Sequence, residues 1–305
     1  MDKLTLVTGS EGLVGSRFVE ISEVKNTLHF PKQIEMDLLN TAQVKAIIKS
    51  FDFGTIVNFA AFTDVEEAEK QRGNKNGSCW NVNVEGVRNL VNAVKEANKD
   101  IRLIQISTDN VFSGRKEDPG PYSEDHKREE NENKVTWYGY TKSLADGLVL
   151  DTLGDSGAVL RIIYPVRVIF SDKLDYLRKP LKLFDEGKLY PLFSNQQIST
   201  TFIDEACRAL DKIITRNLSG TFHACSRDST TPYELISYML EKTGRDTGKL
   251  KKTTIEEFIK KYDASPLRYP KYGGLRVEKT ENELKMKFST WKQIVDELVI
   301  QGLGK

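Results

Sequence analysis

Through the first half of the chain, short apolar runs alternate with longer stretches whose apolar positions recur at helical spacing. That is the pattern of a parallel sheet covered by helices on both faces. Leu4-Thr5-Leu6-Val7 reads as the first strand and Leu13 to Ile21 as the helix after it. Thr27 to Phe30 predicts a short second strand, Thr41 to Phe51 a helix, and Thr55 to Phe59 a third strand. A long helix follows, with Val84, Val87, Leu90, Val91 and Val94 on one face, and then strands over Ile101 to Ile106 and Ala158 to Ile163. Beyond residue 164 the alternation stops. Helical patterns at Asp204 to Thr215, Pro232 to Thr243, Ile255 to Tyr262 and Trp291 to Val299 are joined there by irregular segments. The expected architecture is α/β: a doubly wound parallel sheet over residues 1–164 and a smaller α+β part over 165–305, some of whose segments return to the first.

Ser113 to Thr136 is a polar stretch holding Pro119-Gly120-Pro121 and the charge run Glu124 to Glu132. So long a stretch inside a compact domain is either a solvated, mobile loop or a lid over a site. The 45 basic and 44 acidic side chains leave a net charge of +1, so no field steers the 305-residue chain onto nucleic acid or an anionic membrane. Cys79, Cys207 and Cys225 lack metal-site spacing and read as thiols in a reducing compartment. His29, His126 and His223 are equally scattered, so no metal is expected. No apolar run reaches the roughly 18 residues of a spanning helix, and the amino terminus does not read as a signal peptide. A soluble cytoplasmic protein is the expectation.

Immediately after the first strand comes Thr8-Gly9-Ser10-Glu11-Gly12-Leu13-Val14-Gly15, with the spacing G-x-x-G-x-x-G in strand–turn–helix context. Gly9 allows the tight turn, Gly12 the approach of a pyrophosphate to the helix amino terminus, and Gly15 close packing of the helix on the sheet. This predicts a Rossmann-type dinucleotide site. An acid gripping a ribose 2′-hydroxyl belongs at the end of the second strand, but His29-Phe30-Pro31-Lys32 holds none. Lys32 suits a 2′-phosphate, while Glu35 and Asp37 lie further on. The balance favours NADP(H), with NAD(H) as the alternative.

Trp137-Tyr138-Gly139-Tyr140-Thr141-Lys142 contains Tyr-x-x-x-Lys. Four residues apart on a helix, Lys142 shares a face with Tyr138, where its charge is expected to lower the phenol's pKa toward neutrality. Tyr238 and Lys242 have the same spacing but no such context, and read as a surface pair.

Further strings fall in order: Asn58 to Thr63, Asn83 in Val82-Asn83-Val84, and Ser107-Thr108-Asp109-Asn110-Val111-Phe112. Pro121-Tyr122-Ser123-Glu124, Leu160-Arg161, Thr201-Phe202-Ile203-Asp204 and Gly220-Thr221-Phe222-His223 come later. With the glycine turn and the Tyr-Lys pair, they resemble the extended short-chain dehydrogenase/reductases acting on nucleotide sugars, and among those the dTDP-4-dehydrorhamnose reductases. The likeness spans nearly the whole chain and is strongest up to residue 165.

That resemblance implies reduction of a keto group on a nucleotide-activated sugar, such as a 4-keto-6-deoxyhexose, with NAD(P)H. It gives Thr108 a hydrogen bond to the reacting carbonyl, Tyr138 the proton exchange, and Lys142 the nicotinamide ribose. Gly9, Ser10, Gly12, Leu13, Val14 and Gly15 would surround the pyrophosphate. Ala60, Ala61 and Thr63 would line the cofactor, Asp37 and Leu38 would flank its adenine, and Asn83 would buttress the strands. On the substrate side it implies Thr108, Asn110, Val111, Tyr138, Arg161, Gln196 and Thr201. The chain departs from the family at Tyr164-Pro165-Val166-Arg167-Val168, which lacks a glycine, at Ile198-Ser199-Thr200-Thr201, and at Tyr269-Pro270. All three fall where the sugar should bind. An epimerase or dehydratase of the same superfamily is one alternative. A non-catalytic NADP-binding subunit similar to the regulatory subunit of methionine adenosyltransferase, which keeps Tyr-x-x-x-Lys, is another. The sugar, the nucleotide and the oligomeric state, a homodimer included, stay open.

Overall fold

Strand β1 (Leu4–Thr8) is buried from Thr5 onward, as a strand covered on both faces must be. The computed structural model describes residues 3–97 and 99–305. On one side β1 pairs in parallel with β2 (Leu28–His29), and on the other with β3 (Phe53–Asn58), which pairs in parallel with β4 (Arg102–Thr108). With β5 (Gly157–Ile162) and a last strand at Gly220–Ala224, the six-stranded order is β2-β1-β3-β4-β5 and then that edge strand. The chain leaves β1 in one direction and returns to its other side as β3. The crevice beyond the carboxyl ends of β1 and β3 is therefore the topological switch point, where open α/β sheets bind ligands.

Helices α1 (Gly15–Ile21), α2 (Thr41–Ser50) and α3 (Val65–Lys70) follow the first three strands. Next come α4 (Ser78–Trp80), a π-helical turn at Asn81–Glu85, and α5 (Gly86–Glu96). The long helix α6 (Trp137–Leu153) precedes β5. Leu6, Val44, Ile48, Ile56, Leu90 and Leu103 form the core between sheet and helices.

The chain divides into two compact units. The first holds residues 1–112, 127–161 and 207–222, and the second 113–126, 162–206 and 223–305. The second unit carries helices Arg178–Asp185, Pro232–Lys242, Ile255–Tyr262, Glu278–Leu284 and Trp291–Ile300. It also has two short parallel pairings, Pro165–Val166 with Thr201–Phe202 and Leu192–Phe193 with Lys252–Thr253. Capping boxes at Thr231/Glu234, Thr254/Glu257 and Thr290/Gln293 start three of these helices.

The polar stretch 113–136 is anchored by buried side chains rather than left as a free loop. Within the second unit Tyr122 is buried, its hydroxyl donating to the Asp118 carbonyl at 2.5 Å and accepting from the Gly114 amide at 2.7 Å. Glu124 is buried and accepts both the amide and the hydroxyl of Thr280 at 2.7 Å. These two residues anchor a segment whose composition reads as solvated.

Candidate active site

The glycine turn forms on steric grounds before any ligand is considered. Gly9 has φ +66°, and a Cβ there would lie 2.5 Å from the Ala60 amide nitrogen. A Cβ on Gly15 would strike the Gly9 carbonyl oxygen. Gly12 differs: its amide donates to the Gly9 carbonyl at 3.2 Å, and an added Cβ would meet only that oxygen, at 3.4 Å. The fold itself therefore needs glycine at 9 and 15 but not at 12. Helix α1 begins at Gly15 after Val14, which provides no side-chain cap, and no acid lies in its first turn. Ser10 is buried at this turn, and Leu13 is half-buried.

Beside the turn lies a cavity of about 570 Å³, lined by Glu11, Lys32, Gln33, Asp37, Asn40 and Gln43 among others. Both nearby acids are engaged by backbone. Glu35 accepts from the Lys32 amide at 2.7 Å, and Asp37 accepts from the Leu39 amide at 3.0 Å. Leu38 is buried, and its carbonyl accepts from Asn89 at 2.8 Å. Another cavity, of about 460 Å³, is lined by Lys95, Asp100, Thr152 and Ser156 at the amino-terminal end of β4, far along the strand from the motifs.

The loop after β3 is fixed by two buried amides. Asn58 accepts from the Thr8 hydroxyl at 2.5 Å and donates to Gln105 at 2.7 Å, tying the ends of β1 and β3 to the middle of β4. Asn83, in the π-helical turn, accepts from the Phe62 amide at 2.8 Å and donates to the Phe62 carbonyl at 3.1 Å and to Thr141 at 3.0 Å. It buttresses the loop carrying half-buried Ala60 and Ala61 and exposed Thr63 against α6, not one strand against another.

Tyr138 is placed by the start of α6. Thr136 caps that helix by accepting from the Gly139 amide at 3.0 Å, and Glu69 of α3 accepts from the Trp137 amide at 2.9 Å. Arg72 extends from the same region to the Val135 carbonyl at 2.9 Å. A Cβ on Gly139 would collide with the Asn110 carbonyl oxygen, so this glycine lets α6 approach the turn that follows β4. In that turn the Thr108 hydroxyl donates to Asp109 at 3.1 Å and accepts from the amide and side chain of Asn110 at 3.2 and 3.1 Å. Val111 is fully buried.

Burial pushes the Tyr138 phenol above its ordinary value, and the Asp109 carboxylate adds to the rise, while a hydrogen bond with the Thr108 side chain pulls the other way. The expectation of a Lys142-lowered phenol is thus corrected. Lys142 is buried with its ammonium on the Ile106 carbonyl at 2.7 Å, and burial brings its pKa down to about 8. Asp109, absent from the sequence-based candidates, is a carboxyl raised by burial to about 6. The Ser-Thr-Asp string held it in plain view.

Three implied substrate contacts are otherwise engaged. Arg161 pairs inside the first unit with Asp146 at 3.1 Å, its side chain 3 % exposed. In the second unit Thr201 is fully buried, donating to the Ala224 carbonyl at 2.6 Å and accepting from the Ile163 amide at 2.9 Å. Gln196 donates to the Pro270 carbonyl at 3.0 Å. The Thr201 hydroxyl is taken up by backbone, and the Arg161 Nε by an internal carboxylate. Tyr238 and Lys242 both meet Asp296, at 3.0 and 3.1 Å, and form the surface pair the sequence predicts. Among the described residues no cluster of His, Cys, Asp and Glu could hold a metal ion, and no helix is long and apolar enough to cross a membrane.

The chain is 27% identical over 252 residues, 81% of each chain, to a dTDP-4-keto-6-deoxy-D-glucose reductase of Streptomyces niveus. It is also 27% identical over 271 residues, 82% of its length and 75% of the relative's, to methionine adenosyltransferase 2 subunit beta of Xenopus tropicalis. The fold matches a crystal structure of dTDP-4-dehydrorhamnose reductase from Bacillus anthracis in complex with NADP, with TM-score 0.82, 20% identity and 99% of each chain covered. The profile of the RmlD substrate binding domain family matches residues 3–303, and the chain belongs to that family.

Proposed function

We propose that the protein is an oxidoreductase that reduces a 4-keto group on a nucleotide-activated sugar, using NADPH in preference to NADH, in the cytoplasm. The observation that carries this reading is the Thr108–Tyr138–Lys142 constellation at the carboxyl end of β4, in the same unit as the glycine turn. The reductase names of several relatives support the substrate class. A bound reduced nicotinamide supplies the hydride. The chain supplies the rest. Tyr138, whose phenol is protonated at neutral pH, donates its proton to the carbonyl oxygen as negative charge develops there. The Thr108 hydroxyl would orient that oxygen, and Lys142, held on the Ile106 carbonyl, would bind the nicotinamide ribose.

Gly12 fits the cofactor because no packing within the protein requires a glycine there, whereas a pyrophosphate passing close to the backbone does. Lys32 fits a 2′-phosphate because it lines the 570 Å³ cavity while Glu35 and Asp37 are held by backbone amides. The second unit is assigned the sugar and its nucleotide, with Gln196 as a candidate contact. Screening purified protein with NADPH and NADH against a panel of nucleotide 4-ketosugars tests the reading. Turnover with NADPH is expected. Tight NADP binding with no turnover on any sugar points instead to a regulatory subunit.

A further inference from the structure

Tyr138, Lys142 and Asp146 stand four residues apart along α6, so they share one helical face. All three are buried, at 9 %, 2 % and 0 % exposure. Asp146 receives Arg161 Nε of β5 at 3.1 Å through one carboxylate oxygen, and its other oxygen has no hydrogen-bond partner among the described residues. Arg161 also leaves Nη1 without one, and its guanidinium lies 5.0 Å from the centre of the Phe112 ring. A buried ion pair held by a single bond is a poor stabiliser, and apolar side chains of equal volume would serve packing as well. Its place one turn beyond Lys142 on the same helical face gives it another use.

We propose that Asp146 is a positioning residue that holds Lys142 as the ammonium, with Arg161 fixing Asp146 from the strand behind. The proposal rests on the catalytic reading of Lys142. The groups facing Lys142 are Asp146 on its own helix, the Ile106 carbonyl on β4 and the Cys79 thiol on α4; Asp146 and Cys79 oppose the desolvation that lowers its pKa. Tyr138 lies one turn before Lys142 on the same helix, and Asp109 and Cys79 act on that phenol. Removing the Asp146 charge leaves two buried cations, Lys142 and Arg161, without a buried counter-ion on that face. The ammonium should then give up its proton at lower pH.

The test reads Lys142 directly. Its ¹³Cε resonance, assigned by its loss in Lys142→Arg, is titrated by NMR in wild type and in Asp146→Asn. A fall of the Lys142 pKa by about one unit or more is expected. The double variant Asp146→Asn/Arg161→Gln, which removes both charges and keeps hydrogen-bonding amides, covers the case in which the single variant does not fold. There a smaller fall is expected. An unchanged or raised Lys142 pKa in the folded variant overturns the proposal. Because this resonance needs no substrate, failure of the ketosugar screen and failure of the Asp146 assignment are distinguishable.

Discussion

Gly139 and Asn110 meet backbone to backbone, so closely that a Cβ on Gly139 would collide with the Asn110 carbonyl oxygen. The contact sets the distance between the Thr108 turn and Tyr138. Gly139→Ala should force the two apart. Displacement of a reacting group by an ångström costs about 10²-fold in rate, so turnover should fall by that order, with NADPH affinity much less affected. Steady-state kinetics together with calorimetry would check this.

Gly12 separates fold from ligand. A Cβ there meets only the Gly9 carbonyl oxygen, at 3.4 Å. Gly12→Val should keep the wild-type melting temperature and lose NADPH binding in calorimetry. Gly15→Val, whose side chain would drive into the backbone at Gly9, should destabilise the protein itself.

Much of the first unit was legible because its signals are local. Strand β1 and its glycine turn, the helix faces of α2 and α5, and the Tyr138–Lys142 spacing are each set within a few residues. What escaped depends on distant partners. Glu124 reads as part of a solvated charge run, and it is buried because Thr280 satisfies it from 156 positions away. Thr201 reads as a substrate hydroxyl and is satisfied by Ala224 and Ile163. The pKa of Tyr138 could not be judged from Lys142 alone, since burial outweighs the neighbouring charges.

Asp109 ties stability to pH. Its carboxyl is raised from 3.8 to about 6 in the folded protein. The folded state therefore holds this proton more tightly than the unfolded state does, and the stability it contributes is present below 3.8 and lost as pH rises through about 6. Asp109→Asn, which can still accept from Thr108, removes that dependence. Relative to wild type, the variant should gain stability between about pH 4 and 6 and keep the gain at neutrality, read from urea midpoints across the range.

The two Tyr-x-x-x-Lys pairs should respond differently to the same change. Tyr138→Phe removes the proton donor with little change of shape, and general acid catalysis is worth about 10²- to 10⁴-fold. Turnover should fall within that range while NADPH binding holds. Tyr238→Phe loses only a surface hydrogen bond to Asp296 and should leave turnover unchanged.

The central claim is net reduction of a ketosugar, and its most direct measurement is stoichiometry. Purified protein is mixed with NADPH and a nucleotide 4-keto-6-deoxyhexose, the loss of nicotinamide absorbance is followed, and the sugar product is quantified by chromatography. One NADPH oxidised for each ketosugar reduced, by protein that carries little bound nucleotide as purified, is the predicted result. Isomerised sugar without net loss of NADPH, from protein holding stoichiometric NAD, would contradict it and make the protein an epimerase.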